Sequence, residues 1–142
     1  MPSSGDTRAR ISVVNDNPDF LELMSEILRE ESAYEVTLFN GNEGFPIDDL
    51  RLSKPDLVIV DLLLGGLSGW EIVTLARADA ELAQVPIIIC SGDVAQLRER
   101  KEELARIGNI HILAKPFGID ELTQMVAGTL ARESDAATAA TG

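Results

Sequence analysis

Two aspartates, a serine and a lysine stand at the ends of separate apolar runs, and as a set they could bind and accept a phosphoryl group. Asp61 closes Leu57-Val58-Ile59-Val60, and Ile11-Ser12-Val13-Val14 runs into Asn15-Asp16. Pro86-Ile87-Ile88-Ile89-Cys90 ends in Ser91-Gly92, and Ile110-His111-Ile112-Leu113-Ala114 ends in Lys115-Pro116. If these runs are parallel strands, Asp16, Asp61, Ser91 and Lys115 converge at the edge where open α/β sheets place their chemistry. Two carboxylates brought together repel unless a cation intervenes. An all-oxygen site on a rigid edge suits Mg2+, which takes few protein ligands and keeps several waters. An Asp carboxylate can act as a nucleophile and form an aspartyl-phosphate. A lysine and a serine hydroxyl can hold the phosphoryl oxygens.

The elements between these runs must bring them to one edge. Asn17-Pro18 offers an N-cap and a first-turn proline, and Phe20, Leu21, Met24, Ile27 and Leu28 follow at helical spacing to about Glu31. Val36, Leu38 and Phe39 form a second strand. Pro46 breaks any long helix there, so the second helix is short, around 47–52. Ser68 can cap a helix carrying Trp70, Ile72, Val73, Leu75 and Ala76. A polar helix from about 94 to 107 stops at Gly108-Asn109. Its charges, Arg98 to Glu103, read as a solvated face. The last helix runs from Ile119 to about Arg132. Residues 1–8 read as a flexible arm, 9–132 as one domain, and 133–142 as a disordered tail without bulky apolar residues. Strand and helix alternate five times, the pattern of an α/β fold with a parallel sheet covered on both faces.

The 142 residues are 45% hydrophobic, enough to fill one core, and carry a net charge of -12. That charge repels nucleic-acid phosphates and anionic membrane surfaces, so neither is an expected partner. The single cysteine, Cys90, ends an Ile-rich run and reads as a buried thiol. The single histidine, His111, lies on the last strand, where nothing marks it as a base. Residues 1–10 lack a signal-peptide core and no apolar run approaches a membrane span. The expected location is cytoplasmic.

The chain resembles the receiver domains of two-component response regulators. The resemblance rests on Val14-Asn15-Asp16, on Asp61-Leu62-Leu63-Leu64-Gly65-Gly66-Leu67-Ser68-Gly69, on Cys90-Ser91-Gly92 and on Ala114-Lys115-Pro116-Phe117. It implies a flavodoxin-like (βα)5 three-layer sandwich with strand order 2-1-3-4-5. It implies that Asp61 is the phosphoacceptor, taking phosphate from a sensor histidine kinase or a histidine phosphotransfer protein. Asp16, Asp61 and the backbone carbonyl of Leu63 would hold Mg2+, and Lys115 would contact the phosphoryl group. Ser91 would bind that group after transfer and switch its loop, beside Gly92, which leaves room for the donor. The output would be binding to a downstream protein target, with a homodimer through the face of the fourth helix, fifth strand and fifth helix as a family option. On this reading the chain is not an enzyme, although it assists its own phosphorylation and dephosphorylation.

Three positions depart from the family pattern. Asn15 stands where most relatives carry a second acid, and would reach Mg2+ only through water. Ile112 stands where many carry the Tyr or Phe that turns inward on switching. Leu63 and Asp93 occupy positions that tune hydrolysis, and the apolar Leu63 points to a slowly hydrolysed phosphoryl group. Asn15 and Ile112 keep open a second reading, a pseudo-receiver that docks proteins without phosphate. A flavin-binding reading is weaker, because the acids of Asn15-Asp16-Asn17-Pro18-Asp19 repel a cofactor phosphate.

Overall fold

The computed structural model describes residues 9–32, 34–40, 47–61, 69–91, 99, 101–114 and 118–141. Strands β1 (Arg10–Asn15), β2 (Glu35–Asn40), β3 (Leu57–Asp61), β4 (Ile87–Ser91) and β5 (Ile110–Ala114) form one parallel sheet in the order β2-β1-β3-β4-β5. Helices α1 (Pro18–Ser32), α2 (Ile47–Leu52), α3 (Gly69–Ala78) and α4 (Lys101–Ile107) lie in the connections, and α5 (Ile119–Thr141) follows β5. This is the flavodoxin-like arrangement expected from the alternation and the family resemblance.

Alternation along each strand splits the core into two layers. Ile11 and Val13 of β1, Leu57 and Ile59 of β3, and Ile88 and Cys90 of β4 pack with Leu21, Met24 and Leu28 of α1 and Leu122 and Val126 of α5. On the other face, Val14, Val58, Val60, Ile87 and Ile89 pack with Leu50 of α2, Ile72, Val73 and Ala76 of α3, and Leu104 of α4. Each fully buried Ile or Leu contributes about 1.5–3 kcal/mol. A surface ion pair such as Arg10–Glu35 at 3.5 Å contributes about 0–1 kcal/mol, so the two apolar layers dominate. Cys90 is buried and unbridged, as expected.

The local signals act as the sequence predicts at several ends. Asn17 Oδ1 accepts from the backbone N–H groups of Asp19 (2.9 Å) and Phe20 (3.3 Å), capping α1. The second helix spans Ile47–Leu52 among the described residues, and Pro46, expected to break it, lies outside them. Helix α4 stops where Gly108 (φ 79°) and Asn109 (φ 58°) turn left-handed, a conformation that glycine and asparagine tolerate best.

One expectation is corrected. Helix α5 does not end near Arg132 but continues to Thr141, through the stretch expected to be disordered. The residues 136–140 are Ala-Ala-Thr-Ala-Ala, and alanine has the highest helix propensity, so local preference extends the helix where no apolar face is present. No described helix is both long enough and apolar enough to cross a membrane.

Candidate functional site

Register builds the site. In the parallel pair β1–β3, Val14 lies opposite Val60, so one further step brings Asn15 beside Asp61. Both residues are odd-numbered on strands whose odd positions face α1 and α5. Their side chains therefore share a face, and they meet: Asn15 Nδ2 donates to Asp61 Oδ2 at 3.1 Å. Asp61 is 7% exposed and Asn15 2%. A buried carboxylate without donors costs several kcal/mol, so this bond offsets part of the cost of placing an acid here.

The amide is engaged at its other end as well. Asn15 Oδ1 accepts from the backbone N–H of Asn17 at 2.8 Å. Only this orientation satisfies both neighbours, because a reversed amide would set its carbonyl against the carboxylate. A line of hydrogen bonds thus runs from Asp61 through Asn15 to Asn17, whose side chain caps α1.

Asp16 follows directly, half-buried at the bend after β1 and at the same edge. Ser91 is the last residue of β4, where Cys90 lies in register with Asp61 and Ser91 with Ala114 of β5. The chain past Ala114 leads to Lys115. Leu63, Gly92, Asp93 and Lys115 lie outside the described residues. The backbone therefore brings Asp16, Asp61 and the end of β4 to one edge. Ile112 lies on β5, an edge strand, and is 39% exposed. His111 is half-buried on the same strand.

The donor set fits a hard cation. Asp16 and Asp61 supply two carboxylates on a rigid edge, and Asn15 beside them adds an amide oxygen. The Asn15 carbonyl oxygen, already accepting from Asn17, has a second lone pair with which it could accept from a metal-bound water. The sequence pattern did not reveal the direct contact between Asn15 and Asp61. The signal for it was the shared parity of the two residues on neighbouring parallel strands.

Comparison with known proteins agrees with this geometry. Residues 11–127 match the family described as the response regulator receiver domain. Over 117 residues the chain is 29% identical to sporulation initiation phosphotransferase F of Bacillus subtilis, covering 82% of this chain and 90% of that protein. It is 30% identical over 116 residues to hybrid signal transduction histidine kinase D of Dictyostelium discoideum, covering 82% of this chain but 7% of that much longer one. Among solved structures, the receiver domain of a sensor histidine kinase from Pseudomonas aeruginosa superposes with a TM-score of 0.72 at 26% identity, covering 87% of this chain and 98% of that one. That structure holds a magnesium ion coordinated in its active site cleft.

Proposed function

The chain belongs to the response regulator receiver family, a family of signalling modules, and on that premise we propose that it is a phosphoacceptor whose accepting residue is Asp61. The observation that carries the reading is the placement of Asp61: a buried carboxylate at the end of a central strand, with Asp16 at the same edge. The phosphoryl donor is the phosphohistidine of a sensor histidine kinase or of a histidine phosphotransfer protein. A carboxylate oxygen of Asp61 forms the new P–O bond while the donor's P–N bond breaks. The electron pair of that bond returns to the imidazole nitrogen.

Asp16, Asp61 and the backbone carbonyl of Leu63 are the residues that would hold Mg2+, with Asn15 contributing through a bound water. The ion would neutralise charge on the phosphoryl oxygens. Lys115 adds a second positive charge to the same oxygens, and the Ser91 hydroxyl binds the group once transferred. Gly92 gives the donor room, and Leu63 and Asp93 set the rate of hydrolysis. The output is a change in binding to a protein target. With Ile112 in place of an aromatic ring, the signal leaves the site by a movement other than ring rotation. The cell compartment implied is the cytoplasm.

The test is intact-protein mass spectrometry after treatment with acetyl phosphate and Mg2+. One added phosphoryl group is expected on the parent protein and none on Asp61→Ala. The phosphate-independent docking module, which Asn15 and the exposed Ile112 favour, predicts no addition to either protein.

A further inference from the structure

We propose that Asn15 is a positioning residue that holds the Asp61 carboxylate in place without a metal ion, so that the acceptor edge is assembled before any cation binds. This rests on the reading of Asp61 as acceptor. Asn15 is 2% exposed, and its side chain is fixed at both ends, by Asp61 Oδ2 at 3.1 Å and by the Asn17 N–H at 2.8 Å. Rotation about its side chain would break both bonds in a place where water does not reach to replace them. The amide is therefore a fixed donor, and through Asn17 its position is tied to the start of α1.

The chemistry of position 15 decides what the cation has to do. An acid there would set a second carboxylate about as close to Asp61 as the amide now is, and the pair would need a cation to coexist while buried. The neutral amide removes that repulsion and adds a donor. It also removes one negative charge from the place where a cation would bind. The same residue thus makes the metal-free edge more stable and the attraction for Mg2+ weaker. A third consequence concerns transfer itself: when Asp61 becomes an acyl phosphate, its carbonyl oxygen still accepts from Nδ2, so the hold does not depend on the charge that transfer removes.

Three measurements on the full chain test the proposal. In EDTA, Asn15→Asp and Asn15→Ala are both expected to unfold at lower temperature than the parent. Saturating Mg2+ should restore Asn15→Asp but not Asn15→Ala. Calorimetric titration with MgCl2 alone should show Asn15→Asp binding at least tenfold more tightly than the parent. The 15N–1H signals of the Asn15 side-chain amide should move in Asp61→Ala, which a residue serving only the Asn17 turn would not show. Unchanged unfolding temperatures in EDTA, an unchanged Mg2+ affinity or unmoved Asn15 amide signals would each overturn it. None of these measurements requires phosphorylation, so failure of the acceptor reading and failure of this proposal are separable.

Discussion

Where the strands begin, the Arg77 guanidinium donates to the carbonyl oxygens of Leu82 (3.2 Å), Val85 (2.9 Å), Gly108 (3.2 Å) and Asn109 (3.2 Å). Where the same strands end, the buried Asp61 carboxylate receives a neutral amide at 3.1 Å. A second contrast runs parallel to the first. At the beginning edge Arg51 of α2 pairs with Asp79, with Asp48 at 2.8 Å and with Glu81 at 3.5 Å, so that α2 is tied to the turn after α3. The Arg51 hydrogen bond holds the Asp79 carboxyl below its usual range, and Asp79 and Asp48 in turn raise the guanidinium above its own. At this edge two fixed guanidinium groups join turns together, Arg77 through backbone carbonyl oxygens and Arg51 through carboxylates. At the ending edge Asn15 meets Asp61 with a neutral amide, which orients the acid without itself bringing an opposite charge. The two ends of the sheet therefore differ in kind: arginines tie turns together at one, and an amide orients the proposed acceptor at the other.

The largest effect expected from breaking this contrast is at Arg77. Arg77→Ala leaves carbonyl groups of two turns without their donor and should cost about 3 kcal/mol in urea unfolding. The rate of phosphorylation by acetyl phosphate at low temperature should stay within a factor of two of the parent. A loss of rate matching the loss of stability would show that the two edges are not independent.

A smaller effect concerns pH. Because Asp79 is depressed in the folded state, its contribution to stability is present above the unfolded carboxyl range and is lost as pH falls from about 4 through the folded value. Unfolding temperature measured from pH 6 to pH 3 should fall less steeply for Asp79→Asn than for the parent, from a lower starting point. Equal slopes would remove Arg51–Asp79 as a structural tie.

The smallest effect is at Lys54, which sits in the left-handed region at φ 48° in the turn before β3. Lys54→Gly relieves the side-chain clash but costs unfolded-state entropy, for a net gain of about 0.5 kcal/mol by chemical unfolding. Phosphorylation should not change. A loss of stability would mean that the lysine side chain does structural work at this edge.

Much of this architecture was legible in the chain. Apolar runs ending in polar residues gave the strands and the edge at which they meet. Asn17-Pro18 and Gly108-Asn109 marked helix boundaries through backbone chemistry that acts locally. The structural edge was not legible, because Arg77 and Arg51 find partners that only the fold brings near; Arg77 reaches Asn109 and Arg51 reaches Asp79. Nothing in the local sequence distinguishes these arginines from solvated ones. Asn15 read as a departure from the family's acids, whereas its contact with Asp61 depends on strand register. The end of α5 misled for the opposite reason: without an apolar face the segment looked unstructured, yet alanine propensity alone continues the helix.

The central claim is that Asp61 is the group that takes the phosphate. Borohydride reduction of the freshly phosphorylated protein converts a phosphoaspartate to homoserine, and peptide mass spectrometry then locates it. Homoserine at position 61 is the predicted result. Homoserine at Asp16 or another acid, with position 61 unchanged, would contradict the account.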